Sequence, residues 1–517
     1  MESNNTQLSL SQQLHDQVGY NNLLVKENKK LHQKIEFLSE QIAQMQRFVF
    51  GRKSEKANEA QLLLFIDGTR DPDVPAAIGS EDETPDFEEL PAAKKQKKRN
   101  SHPGRAPLPA HLERKETHLH PDDLDCPCCG SQMKPAGEEV SEELGIVPAR
   151  FFVRRTVRHK YACRACEDAV VRPELPAAAI EKSMAGSDVL AAIVVSKYAD
   201  HLPLYRQQQI YRREGLELKR ATMCNWIGKC SFLLEPIVAQ MRAEILSSGV
   251  VQSDDTTVKY LEPPGPAKRG YLWAYVSFDD DVVYDFTRGR SRDGPSAFLT
   301  GFQGILQVDG YAGYNEVLAT PGIEHAACWA HVRRKFENSL TTAPAEAAAV
   351  MHKIQTLYGV EKELRQMDQQ PTPADISLIR QEKSLPVIEE LREVLVAYRE
   401  QALPQSVFGK AIEYAFGQWE WLTTYIYDGR VDIDNNSCER AMRRVAVGRK
   451  NWLFTGSDQG GANAAVLYSI VETCVRHRIN PHEYLTDVLV RVGTHPQARI
   501  AELTPRGWAK EQAAKFS

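Results

Sequence analysis

Two kinds of residue in this 517-residue chain are spaced as chemistry requires: cysteines in close pairs, and carboxylates at the ends of apolar runs. Cys126-Pro127-Cys128-Cys129 and Cys163-Arg164-Ala165-Cys166 contain two C-x-x-C pairs with 33 residues between them. Two such knuckles suit four thiolates, Cys126, Cys129, Cys163 and Cys166, around one structural Zn²⁺, tetrahedral and closed to water. Cys128 leaves open which thiols ligate. The gap exceeds the about 15 to 20 residues usual for a ribbon, and a hairpin would fill it. In its return strand Phe151, Val153, Val157 and Tyr161 fall on one face and Arg154, Arg158 and Lys160 on the other, leaving a basic face for phosphates.

The acids come later. Val250 to Asp255 is an apolar run ending in Asp254 and Asp255, and Gly304 to Gly310 is another, ending in Asp309. Between them, Tyr271 to Val276 and Val282 to Phe286 read as strands, and Glu324 to Trp329 reads as a fifth, leading into the basic helix of His331 to Phe336. Carboxylates at strand ends suit hard divalent cations, and a pair of such ions serves phosphoryl transfer. An Asp before a Gly is also a common turn former, so a third acid is needed. Asp434 to Ser437 offers helix caps, after which Glu439 and Arg443 share a helix face. Arg440 and Arg443 could meet phosphates, or Glu439 and Arg443 could form a surface ion pair. The following Gly448 to Ser457 segment, with Lys450 and Trp452, combines cations and aromatics as a phosphate- and base-binding loop would.

Other elements would position these groups. From Leu24 a seven-residue period runs through Leu31, Leu38 and Met45, and through Asn28, Ile35, Ile42 and Val49. It predicts a coiled coil within 7–50, with Asn28 favouring a parallel dimer in one register; a homodimer or higher oligomer is expected. Residues 51–114 read as a flexible linker, acidic from Asp67 to Leu90 and then basic at Lys94 to Arg99. The zinc-binding module is expected at 115–182. In 183–247, two short helices, a turn at Gly215 and a third helix opening with Lys219 and Arg220 fit a helix-turn-helix.

Zipper, cysteine pairs and acids stand in an order that resembles transposases of insertion sequence family 66. The motifs are Phe50-Gly51-Arg52-Lys53-Ser54-Glu55-Lys56, Ser196 to Tyr205, Asp309-Gly310-Tyr311-Ala312-Gly313-Tyr314, Cys328-Trp329-Ala330-His331, and Asp434-Asn435-Asn436 before Glu439-Arg440. The resemblance runs from about residue 24 to 495. It implies a multidomain α+β protein whose ribonuclease-H-like catalytic domain comprises 248–340 and 431–475, with a helical insertion at 341–430 and a C-terminal tail at 476–517. It further implies a DDE transposase that cleaves and joins DNA, with Asp254, Asp309 and Glu439 holding two Mg²⁺ (or Mn²⁺) per active site. The partners would be element ends and target DNA, with accessory proteins of the same element as further candidates. The setting would be the bacterial cytoplasm at the nucleoid. This chain has Asp254-Asp255-Thr256 where the family usually has Asp-Glu-Thr, so Asp255 rivals Asp254; on a strand the two face opposite ways. Cys438 stands beside the third acid, and His331, three residues after Cys328, is an accessory candidate or a packing residue.

Composition bounds the alternatives. The net charge of −5 argues against a uniformly basic coat. The longest apolar stretch near the middle, Val189 to Val195, is far short of the about 18 residues of a membrane span, so no membrane role is expected. A DNA-binding regulator built from the same parts without cutting is the rival reading. Elemental analysis of freshly purified protein should find close to one zinc per chain; less than about half would remove the four-thiolate site.

Overall fold

The computed structural model describes residues 150–516, apart from 160, 163–169, 172, 263 and 368. Residues from 158 onward belong to one compact unit and 150–157 to another. The heptads, the linker, Cys126, Cys129, Cys163, Cys166 and Lys160 lie outside the described residues.

The chain combines helices with one five-stranded sheet: β1 Val250–Tyr260, β2 Lys268–Ser277, β3 Val282–Thr287, β4 Gly304–Gln307 and β5 Ile323–Ala326. The strand order is β3-β2-β1-β4-β5. The first three form an antiparallel meander, in register Asp254 opposite Ala274 and Trp273 opposite Asp285, and β4 and β5 then add in parallel. Along β1 and β4 the residues alternate between two cores. Val251 and Leu306 join one apolar cluster, while Val250 and Ile305 join the other, as a two-residue period requires when both faces are covered.

The first cluster is roofed by α1 (Ser187–Tyr198), α2 (Leu204–Arg213) and α3 (Arg220–Ser247), and later by α8 (Asn436–Asn451), α9 (Asp458–Arg476) and α10 (Pro481–Arg491). The third helix of the anticipated helix-turn-helix is far longer than its exposed start. It runs 28 residues and buries Met223, Trp226, Leu234, Ile237, Met241 and Ile245 in the same core as the sheet. The second cluster belongs to α4 (Trp329–Ser339), α5 (Pro344–Arg365), α6 (Pro373–Gln401) and α7 (Val407–Gly417). Within this lobe Arg380 forks onto Glu361 at 2.8 and 2.7 Å and donates to the carbonyls of Tyr425 and Val431. Such a buried pair is strongly destabilising to break, so the returning chain leaves the lobe at a fixed place.

Two segments differ from their sequence reading. Residues 151–159 form no strand; among the described residues of this region the pairing is Tyr161–Ala162 against Val170–Val171, and Val153 is 91% exposed. The segment read as a tail is folded: Tyr484, Leu485 and Leu503 are fully buried, and a last helix, α11, spans Pro505–Phe516. The apolar spacing of α10 at Leu485, Val488 and Leu489 is that of a core-facing helix. No described helix is long and apolar enough to cross a membrane.

Gly304 opens β4 at φ +133, and a Cβ there would lie 2.2 Å from the carbonyl oxygen of Gly249. Gly304→Ala is therefore expected to destabilise by more than the about 1 to 3 kcal/mol typical of overpacking. Gly289→Ala, where no heavy atom lies within 4 Å, should stay within about 0.5 kcal/mol. Equilibrium denaturation of both variants checks the contrast.

Candidate active site

Gln252 on β1 shares a strand face with Asp254, and Gln307 ends β4 two residues before Asp309. Both amides are buried. Gln252 Nε2 donates to Gln307 Oε1 (3.0 Å) and to Asp432 Oδ2 (3.1 Å), while its Oε1 accepts from Cys438 N (3.1 Å). Gln307 Nε2 donates to the carbonyls of Asp432 (2.7 Å) and Ala327 (3.3 Å). The crossed amides thus fasten the 432–434 turn and the start of α8 to the two acid-bearing strands.

Further contacts fix the same helix start. Cys328, at the head of α4, accepts from the backbone N of Asn435 (3.4 Å), and burial pushes its thiol up. Asp434 accepts from Tyr358 Oη (2.8 Å) and Asn436 N (3.0 Å). Ser437 donates to Asp280 in the β2–β3 turn and accepts from Arg476. The first turn of α8, which carries Glu439, is thereby held against the sheet.

The carboxyl of Asp254 is pushed up to about 7, by burial first and then by the negative charges of Asp309, Asp255 and Glu439, against one backbone hydrogen bond from Asp255. These charges lie within mutual electrostatic reach. Asp255 is also raised by burial but is held at 2.8 Å by Arg290, whose guanidinium lies over the Tyr311 ring. Both aspartates feel Asp309, but only Asp254 feels Glu439. Asp309 closes a turn by accepting from Tyr311 N (3.1 Å).

Glu439 does not pair with Arg443. Its oxygens lie 3.3 Å from Arg334 and 3.8 Å from His331 Nε2. Burial lowers the His331 pKa, opposed by Glu439 and Asp309, and its Nδ1 is buried without a partner. Among the described residues no group of three or more His, Cys, Asp or Glu is gathered closely enough to hold a metal ion. The donor chemistry fits a hard divalent cation: the oxygens are carboxylate, and neighbouring negative charges add to burial in raising Asp254. Glu472, a rival third acid, is held by Arg444 and Arg476.

The cationic candidates are spread over the surface. Lys219, Arg220, Arg440, Arg443 and Lys450 are exposed. Arg158 donates to the Pro173 carbonyl, and Arg154 lies over the Phe152 ring. Trp452 is only 7% exposed, beneath Lys197, so solvent meets its neighbours instead. Sequence reasoning passed over Gln252, Gln307, Arg290 and Arg334; the signal that could have found the glutamines is an amide two residues before each acid in an otherwise apolar run.

Residues 182–463 match the family described as "Transposase IS66 family", and 469–506 match its "IS66 C-terminal element". Residues 123–167 match the "zinc-finger binding domain of transposase IS66", and 38–117 match "Transposase C of IS166 homeodomain". Among similar proteins are the uncharacterized proteins y4jD and y4qI of Sinorhizobium fredii (strain NBRC 101917 / NGR234), each 36% identical. The match covers 79% of this chain and 83% of y4jD, and 78% of this chain and of y4qI. A chain matched over most of its length by these four segments, in this order, belongs to the IS66 family of transposases.

Proposed function

We propose that this transposase binds the ends of its element and carries out metal-dependent strand cleavage followed by strand transfer, with Asp254, Asp309 and Glu439 as its acidic triad. The observation that carries the reading is the placement of Asp254 on β1, Asp309 two residues after the adjacent β4, and Glu439 in the first turn of α8, whose start is bonded to β1. The strand order β3-β2-β1-β4-β5, antiparallel and then parallel, supports a ribonuclease-H-like catalytic domain of 248–340 and 431–475 interrupted by the lobe at 341–430. Family membership implies a divalent metal, and the zinc-finger match implies zinc; Cys126, Cys129, Cys163 and Cys166 are our assignment for the latter. Dimerisation through 7–50 belongs to the same reading.

The triad would hold Mg²⁺ or Mn²⁺, two per site, which when bound would activate the attacking oxygen and neutralise charge on the phosphate. The chain's own residues do the rest. Arg334, half-exposed and 3.3 Å from Glu439, would be the guanidinium placed to meet a phosphate oxygen beside the acids. His331, whose buried Nδ1 has no partner, places its Nε2 3.8 Å from Glu439, where it would position that carboxylate. Arg290 keeps Asp255 neutralised, so the surplus negative charge concentrates on the triad. Arg154, Arg158, Lys160, Lys219, Arg220, Arg440, Arg443 and Lys450 would neutralise DNA backbone and hold register.

Labelled element-end DNA incubated with Mg²⁺ should yield nicked and joined products. Asp309→Asn should lower nicking by several powers of ten while end binding survives. Full nicking by Glu439→Gln would move the third acid elsewhere, and an inactive Asp255→Asn beside an active Asp254→Asn would reverse the choice of first ligand.

Asp254 also sets a pH dependence. Its folded pKa lies above the unfolded value, so between about pH 4 and 7 the folded protein holds a proton that the unfolded chain releases, and this group's contribution to stability declines as pH rises through that window. In metal-free protein, Asp254→Asn should therefore raise the melting temperature more at pH 8 than at pH 4. Added Mg²⁺ should stabilise the unsubstituted protein at pH 8 and have little effect at pH 5. Thermal melts at the two pH values check both.

A further inference from the structure

Between α8 and α9 the chain crosses the end of β1 in a short loop with an unusual outward face. Its backbone is fixed: Thr455 N donates to Lys259 O (2.8 Å), Leu261 N donates to Thr455 O (3.2 Å), and Ser457 caps α9. Arg449 donates to Thr256 and Thr257 (2.6 to 3.0 Å), and Arg288 forks onto Asp458. Trp452 is the inward anchor. Yet the next two side chains, Leu453 and Phe454, are 71% and 44% exposed, so a rigid loop holds two large apolar groups in water.

The surroundings indicate what covers them. Lys259 and Arg269 are directly opposed on β1 and β2, both exposed and neither ion-paired among the described residues. Facing like charges are destabilising unless an anion lies over them. On the other side, α2 contains Arg206, Arg212 and Arg213 and no acid, and Arg206 donates to the Asn451 side chain (3.0 Å) at the loop's start. Two apolar groups rimmed by cations match a polyanion with flat apolar groups between its charges. Leucine and phenylalanine are among the side chains that enter base steps as wedges. Tyr260, bridged to Thr455, lies six residues beyond Asp254, about 20 Å along the strand, or about six base pairs at 3.4 Å each.

We propose that Leu453-Phe454 is a wedge that unstacks a base step of the bound element end about six base pairs from the scissile phosphate, while Lys259, Arg269 and Arg206 hold the flanking phosphates. This rests on the transposase reading and adds to it a site of DNA deformation separate from the acids.

The test uses the full chain and end-DNA duplexes carrying 2-aminopurine singly at positions four to eight from the cleavage point, with Ca²⁺ in place of Mg²⁺. Fluorescence should rise several-fold at one or two adjacent positions and not elsewhere. A duplex with an abasic site at the responsive position should bind about tenfold tighter than intact duplex. The double variant Leu453→Ser/Phe454→Ser, checked for folding by its thermal melt, should lose both the fluorescence rise at saturating protein and the preference for the abasic duplex. Flat fluorescence with protein that binds and nicks end DNA overturns the wedge alone, as does a double variant that keeps the signal. A change in oligomer mass in the double variant without loss of fluorescence assigns the loop to a protein contact and also overturns it. Protein that neither binds nor nicks end DNA overturns the transposase reading and the wedge together.

Discussion

A single primary amide, that of Gln252, ties together everything that bears on the acids. It is buried, so each of its polar atoms must find a partner or cost about 1 to 3 kcal/mol. Its partners lie on three separate stretches of chain: Gln307 on β4, Asp432 in the return from the helical lobe, and Cys438 in α8. No apolar side chain of the same size could specify those three positions at once, because apolar contact is not directional. The register of β1 against β4, the exit point of the lobe and the height of α8 above the sheet are therefore one constraint.

The electrostatics of the acids follow from that constraint. Rigid elements hold negative charges near one another in a partly buried place where water screens them poorly, and the strain appears at Asp254. The surrounding cations divide into two sorts. Arg290 and Arg380 are locked, one by a carboxylate and a tyrosine ring, the other by a fork and several carbonyls. Arg334 is over half exposed and sits 3.3 Å from its carboxylate, a loose pairing of the kind that contributes little. The arrangement favours an exchange of partners at Glu439 over a permanent ion pair.

The strands were legible because apolar runs with turn residues between them locate strands well, but their ends were not: β1 continues past Asp254 to Tyr260, and β4 stops at Gln307, two residues before Asp309. Glu439 was legible as a helix residue but not its ion pair: helical spacing suggested Arg443, whereas the structure gives Arg334 from α4, 105 positions away. Spacing reports neighbours within an element and is silent on which elements meet. The same limit hid the length of α3, since a sequence pattern for an exposed helix start does not say where its buried remainder stops. It also misread 476–516, where charged residues mask an apolar stripe that packs Tyr484 and Leu485. Trp452 was singled out for its ring, and burial turned that ring inward.

The hydrogen bond from Cys438 N to Gln252 Oε1 spans 186 positions, with the whole helical lobe in between. Closing so long a loop carries an entropic cost that must be met before its contacts form, and contacts of that sequence separation assemble slowly. During synthesis β1 and β4 emerge before Asp432 and α8, so both glutamine amides lack part of their hydrogen-bond partners until the chain beyond the lobe is made. A ribosome-bound or prematurely ended chain would then display the basic helices and two acids without the third. Such a chain would hold β1 and β4 without the helix that fastens them to the return from the lobe. The order of the chain thus withholds the completed amide network until translation has passed α8.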